Sequence, residues 1–314
     1  MRDLVKEPVR TLFLGTDWES VGTLKSFNKD TRYDLVGVIT TPDKPIGRKQ
    51  TLTPSRVKKY AFKNGIAVFH TEKKKKKYEK ALKMFKPELI VCNAFGEILP
   101  EFFIEYPKYK SINIHFSILP KYRGAVPIQK AILDGEKETG ITVMLMSKGL
   151  DEGDILEIFK EPIFENDTNL SLRKKLVKKS ANVLGDVLED WVQGKINPIK
   201  QDDSKATYCW QKDISKENAQ IKWNEMEPEY IGRLVRAMIP WPVAWSMWKE
   251  KRIKIFDVEI VNSDCSKKAG NMFEKDSQIL FSTKKKDVCI KVNTLQVAGK
   301  RKVDATEFIN GRNL

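Results

Sequence analysis

Asn113 and His115 stand two residues apart in the stretch NIHFSILPKYRG, and His115 is one of only two histidines in 314 residues. In an extended strand that spacing turns both side chains to one face, with Ile112 and Ile114 on the other. An amide and an imidazole converging at a strand end can donate to a developing oxyanion and carry a proton. The same pair also suits a core histidine beside a turn-forming asparagine, and spacing alone leaves both readings open. Asp151, in GLDEGD, is the third group of interest. A carboxylate beside His115 would orient its ring and favour the imidazolium. Gly149 and Gly153 permit a tight backbone path there, although acidic residues between glycines are also common turn formers.

Competing chemistries lack their residues. No G-x-G-x-x-G follows the first apolar run, LFLG, and no G-x-x-x-x-G-K-[ST] occurs, so neither familiar phosphate-cradling loop is present. No G-x-S-x-G supports a serine hydrolase. With His70 and His115 alone, a histidine-based metal site would need carboxylates at spacings that do not occur, and no metal is expected. Cys92, Cys209, Cys265 and Cys289 lie far apart without a C-x-x-C pair and read as separate, reduced residues.

Positioning these groups falls to an alternation of strands and helices. The runs RTLFLG, YDLVGVITT, IAVFH, PELIVCNAFG and SINIHFS are mostly separated by helical patterns, notably Val57 to Asn64 and Tyr78 to Phe85. That order predicts an α/β fold whose mostly parallel sheet carries helices on both faces. Ligands of such sheets gather at the carboxyl ends of the strands. GITVMLMSKGLDEGDILEIFKEPI reads as two strands joined by the acidic loop. A long amphipathic helix is predicted from about Ser171 to Gln193, with Thr168 as its cap and Gly194 at its end. Beyond NPIKQDDSKATYCW, the runs RIKIFDVEI, SQILFST and VCIKV alternate with polar turns. They predict a small β domain from about residue 211, for which a barrel is a common closure.

Length favours two domains, and 41% hydrophobic residues exclude a disordered chain. No apolar run approaches the roughly 20 residues of a membrane span, and the start MRDLVKEPVR lacks the apolar segment of a secretory signal. A soluble, cytoplasmic protein is expected, with a bacterial cell favoured. Lys and Arg outnumber Asp and Glu by 57 to 42, a net charge of +15. Such an excess favours a polyanionic partner such as nucleic acid, but lysine can also merely coat a surface. The run Lys73 to Lys77 is read as solvated surface.

The stretch INIHFSILPKYRGAVPIQKAILDGEKETGITVMLMSKGLDEGDIL resembles the formyltransferases that use 10-formyltetrahydrofolate. Their Asn-x-His, S-x-L-P-x-x-R-G turn and G-L-D-x-G-D loop all stand here in order. The likeness covers nearly the whole chain. Within the superfamily, TTPDKPIGR, VCNAFGEILP, RGAVPIQ, ISKENAQIKW, VRAMIPWPVAW and LQVAGKRKVDATEF look like the branch that formylates charged initiator methionine tRNA.

The resemblance implies a Rossmann-like formyltransferase domain over 1–196, a linker over 197–210 and an OB-like β-barrel over 211–314. Asn113, His115 and Asp151 match the family's catalytic trio. Phe95, Ile98, Leu99, Ser117, Leu119 and Pro120, with Asp151, match its folate side, and Arg123 is expected to hold the turn. Lys44, Arg48 and Lys49 match a basic loop that reaches tRNA, although the family's G-R-G-K-K-L reads GRKQTL here. GTDWES replaces the more usual Gly-Thr-Pro, for which a local turn change is expected. Lys254, Lys300, Arg301 and Lys302 are expected to add phosphate contacts from the barrel. Trp241 and Trp245 are read as core. The implied formyl donor is 10-formyltetrahydrofolate, and a monomer is expected. Two alternatives share the framework: transfer to an amino-sugar nucleotide, and hydrolysis of 10-formyltetrahydrofolate. A non-enzymatic RNA-binding protein is a third, disfavoured by the complete trio.

Overall fold

Leu12, Phe13 and Leu14 are wholly buried in succession, as a strand covered on both faces requires. They belong to β1 (Val9–Gly15), an interior strand of a sheet in the computed structural model, which describes residues 7–47, 49–265 and 267–311. Two compact units emerge. The first takes Met1–Arg123, Gly140–Glu161 and Arg173–Tyr208; the second takes Gly124–Thr139, Pro162–Leu172 and Cys209–Leu314.

In the first unit, β1 is followed by α1 (Trp18–Phe27), β2 (Tyr33–Ile39) and a short hairpin, β3 (Lys44–Ile46) and β4 (Thr51–Thr53). Then come α2 (Arg56–Lys63), β5 (Val68–Phe69), α3 (Lys75–Phe85), β6 (Leu89–Asn93), α4 (Glu101–Ile104) and β7 (Ser111–His115). A two-residue strand, β8 (Arg123–Gly124), leads to α5 (Pro127–Asp134), which belongs to the second unit, and β9 (Glu138–Leu145) and β10 (Ile155–Pro162) follow in the first. The sheet order is β10-β9-β7-β6-β1-β2-β5. β5, β2, β1, β6 and β7 run parallel to their neighbours, and β9 joins β7 antiparallel. The alternation of strands and helices is thus realised as a doubly wound sheet with one antiparallel flank.

Local chemistry fixes the helix ends. Asp17, in the unusual GTDWES turn, accepts from Trp18 N at the start of α1, and Ser55 Oγ accepts from Lys58 N to cap α2. Lys75 to Lys77 form the first turn of α3, and Lys74 and Lys77 pair with Glu72 at its mouth. The long helix α6 (Asn169–Val192) opens on reciprocal bonds between Thr168 and Ser171. Along the first unit it is held by Tyr33 OH to Gly185 O, by Arg32 to Asp186 and Glu189, and by Trp191 Nε1 to Tyr109 O. The Arg32 guanidinium also holds the Asp30 carboxyl below its usual range through a hydrogen bond.

After α6, a 3-10 turn (Asp203–Lys205) and β11 (Tyr208–Cys209) follow. The second unit contains α7 (Pro228–Ala237), β12 (Trp245–Trp248), β13 (Lys251–Asn262), β14 (Met272–Lys275), β15 (Gln278–Ser282), β16 (Val288–Val297), β17 (Val303–Asp304) and α8 (Ala305–Asn310). Its strands form a curled antiparallel sheet in the order β12-β13-β16-β15-β14, with β17 on β16. Ile253, Ile255, Ile290, Val292 and Leu295 are wholly buried within it. Side chains that alternate in and out along β13 and β16 give this sheet one dry face.

Two expectations are corrected here. Cys265 and Cys289 are not separate thiols: they are joined as a pair, their Cα atoms 6.0 Å apart. β13 runs antiparallel to β16 with Asn262 opposite Val288, and Cys265 N donates to Lys286 O just beyond, which makes the two cysteines neighbours despite 24 residues of separation. Trp241 is not core, since 52% of its surface is exposed. Trp245 is partly buried, with its indole nitrogen on Lys216 O and the Arg252 guanidinium 4.1 Å from its ring centre.

Candidate active site

β7 delivers the two residues that its spacing singles out. Ile112 and Ile114 are buried on one side, and Asn113 and His115 share the other. Cys92 of β6 lies opposite Asn113 in the parallel register, and Thr142 of β9 opposite His115. The loop 146–154 then folds back so that the Asp151 carboxylate meets both. Asp151 Oδ1 is 3.4 Å from Asn113 Nδ2, and Oδ2 is 3.6 Å from His115 Nδ1. The trio expected from sequence is brought together within one unit. Side-chain exposure is 7% at His115 and 16% at Asp151, so their interaction is shielded from bulk water without being sealed from it.

The other ring nitrogen decides the tautomer. His115 Nε2 lies 2.8 Å from Tyr122 O, and a carbonyl oxygen only accepts, so Nε2 carries a hydrogen. In the neutral ring Nδ1 therefore carries the lone pair, and it faces Asp151. Tyr122 reaches this place at φ 60, in the left-handed region. Its own N–H donates to Thr207 Oγ1 at 2.8 Å, and Arg123 N donates to Thr207 O. Neither Tyr122 nor Thr207 was among the sequence candidates, because a backbone carbonyl leaves no mark in residue type.

The Asp151 loop is tight for two reasons. Asp151 itself sits at φ 50. A Cβ on Gly153 would lie 1.9 Å from Leu145 O, so only glycine fits where the loop rejoins the sheet. Beneath the loop, Cys92 is 5% exposed, and burial together with the Asp151 charge pushes its thiol up to about 12. It stays a neutral wall residue.

The S-x-L-P-x-x-R-G turn is built from within. Ser117 donates to Lys121 O, while Thr142 Oγ1 donates to Ser117 O and accepts from Leu119 N. Ser117 and Leu119 are buried, and Leu119 packs with Met144 and Ile155; Pro120 is half-buried. Arg123 is 2% exposed and makes its bonds to Gln201, Asp203 and Tyr208, as a residue that holds the turn should. Burial opposes its charge, but the bonds to Asp203 and Tyr208 more than offset this and hold its pKa above the usual range.

Of the remaining candidates, Phe95 and Leu99 are half-buried against the core under β6, and Ile98 is 93% exposed between them. Glu97 fastens this loop by accepting from Thr71 Oγ1, Tyr78 OH and Lys73 N. Lys44 and Lys49 are exposed on the β3–β4 hairpin, beside exposed Ile46 and Leu52. Arg48 lies outside the described residues. In the second unit Lys254 stands opposite Gln296, whose amide donates to Lys300 O. Arg301 pairs with Glu307, and the Lys302 ammonium sits 4.4 Å from the Phe256 ring centre. Among the described residues, no three His, Cys, Asp or Glu side chains are placed to share a metal, and no helix is long and apolar enough to cross a membrane.

An amide, a tautomer-fixed imidazole and a carboxylate thus meet at the end of a parallel strand. Comparison with known proteins shows the family. The chain belongs to the formyl transferase family: the formyl transferase model matches residues 10–188, and the formyl transferase C-terminal domain matches 213–313. Its curated relatives include the methionyl-tRNA formyltransferase of Halalkalibacterium halodurans, 40% identical over 96% of this chain and 95% of that one. Another, from a Geobacillus species, carries the same name and is 40% identical over 96% of this chain and 94% of its own. Among solved structures, the sugar 3N-formyl transferase WlaRD, with dTDP and 5-N-formyl-THF, matches with a TM-score of 0.66. It shares 22% identity over 94% of this chain and 100% of its own. HypX from Aquifex aeolicus, in complex with tetrahydrofolic acid, also gives 0.66, at 16% identity over 96% of this chain and 47% of HypX. At those identities the structures speak for the fold.

Proposed function

We propose that this protein transfers the formyl group of 10-formyltetrahydrofolate to the α-amino group of methionyl initiator tRNA. The near-full-length likeness to relatives named for that activity carries the reading. The Asn113–His115–Asp151 cluster within the formyl transferase region supports it.

In the reaction a bond forms between the methionyl nitrogen and the formyl carbon, and the bond from that carbon to the folate nitrogen breaks. Asn113 donates its amide hydrogen to the formyl oxygen as that atom gains charge. His115 takes up a proton at Nδ1, since Nε2 is committed to Tyr122 O, and only then carries positive charge beside the oxyanion. Asp151 stabilises the imidazolium so formed and helps draw the proton from the attacking amine. That proton ends on the departing folate nitrogen. Phe95, Ile98 and Leu99 offer an apolar wall to the pterin, and the turn through Ser117, Leu119 and Pro120 shapes the mouth. Lys44, Arg48 and Lys49, like Lys254, Lys300, Arg301 and Lys302, meet tRNA phosphates, which set affinity more than sequence choice. The enzyme acts as a monomer in the bacterial cytoplasm.

The deciding experiment follows labelled formyl from 10-formyltetrahydrofolate to four acceptors: charged initiator tRNA, charged elongator methionine tRNA, a 4-amino-sugar nucleotide and water. Turnover is expected with the initiator tRNA, and turnover confined to the sugar nucleotide or to water would overturn the reading. In the same assay, Arg48→Glu raises the KM for tRNA at least about tenfold, by the loss and reversal of a phosphate contact. Folate binding is unchanged in that variant.

A further inference from the structure

Gln201 lies in the polar segment KQDDSKATY, which reads from composition as a linker, yet it is only 5% exposed. Both ends of its amide are in use. Oε1 accepts from Arg123 Nε at 3.0 Å and from Arg123 Nη2 at 2.8 Å. Nε2 donates to Asp151 O at 2.9 Å and to Gly153 O at 2.7 Å. These are the carbonyls of the two tight residues of the loop: Asp151 stands at φ 50, and Gly153 lies so close to Leu145 O that a Cβ would not fit. A left-handed backbone at a non-glycine residue persists only where its surroundings over-determine it, and Gln201 supplies that constraint. Arg123, fixed in turn by Asp203, keeps the Gln201 oxygen pointing away from the loop, so the amide can present only N–H groups to it.

We propose that Gln201 is a positioning residue of the formyl-transfer reaction, clamping the backbone of Asp151 so that its carboxylate stays against His115 and Asn113. This rests on the function proposed above. It also gives Arg123 a role beyond its own turn, as the anchor of the clamp. A glutamate is the informative substitution. It keeps both acceptor bonds and an ion pair with Arg123, but it turns oxygen lone pairs toward two carbonyl oxygens and releases the loop. Methionine keeps the length and removes every polar contact.

The test is a double-mutant cycle in the full-length protein. Gln201→Glu and Gln201→Met are each made alone and together with Asp151→Asn, and kcat, the KM for 10-formyltetrahydrofolate and Tm are measured for all. If Gln201 acts through Asp151, each single variant loses about 10- to 100-fold in kcat, with KM within threefold of the parent. In the Asp151→Asn background the same substitutions then cost less than about threefold more. A residue that only supports the fold would instead multiply its cost in both backgrounds in step with a fall in Tm. That outcome, or parental kcat in either single variant, overturns the proposal. The parent's own transfer rate to charged tRNA reports on the function, whereas variant-to-parent ratios report on Gln201, so the two failures are distinguishable.

Discussion

The chain's two histidines are held alike and surrounded differently. His70, just past β5, has Nδ1 2.7 Å from Thr40 O, and its ring has no carboxylate partner among the described residues. His115, at the end of β7, is held through Nε2 by Tyr122 O and turns Nδ1 to Asp151. A backbone carbonyl thus fixes the tautomer at both places. What separates them is which nitrogen is spent and whether the other meets a carboxylate. Fixing a histidine costs the fold one carbonyl; giving it a carboxylate neighbour takes a second loop delivered to the same face.

That contrast is open to measurement. His115→Ala is expected to lower turnover at least about a hundredfold, the order seen when one oxyanion-site donor is lost. Near-parental turnover would remove His115 from the reaction. His70→Ala should change turnover by less than about threefold, because its ring lacks the carboxylate; a loss approaching that of His115→Ala would erase the distinction. The smallest response is predicted for Cys92. Its thiol, raised to about 12 by burial and the Asp151 charge, should resist iodoacetamide at pH 8 in the native protein and react once the chain is denatured. Peptide mapping of native protein that found Cys92 alkylated would mean that the pocket is wetter, and Asp151 less close, than described.

Much of this was legible beforehand. The strand–helix alternation announces the doubly wound sheet, because buried parallel strands must be apolar throughout while their crossover helices show a 3.6-residue period. The spacing of Asn113 and His115 announces a shared face, because strand geometry leaves no other option. Residues whose role is set by context rather than type were hidden. Gln201 lies in a stretch of Asp, Ser, Lys and Thr that looks solvated, and its burial comes from partners 48 to 78 residues away. Trp241 reads as core from its aromatic surface and is half exposed. The pairing of Cys265 with Cys289 depends on strand register, which spacing along the chain does not encode.

By itself the sequence determined which side chains are available for chemistry, on which strand face two of them lie, and the family to which the pattern points. Those properties follow from local geometry and from motifs read in order. Only the tertiary structure decided that Asp151 reaches His115, that Nδ1 is the nitrogen facing it, and that Gln201 spans from Arg123 to the Asp151 loop. Each of these depends on backbone carbonyls brought together from distant parts of the chain. A carbonyl is present at every residue, so its position in space, and not the residue type that bears it, makes it part of a site.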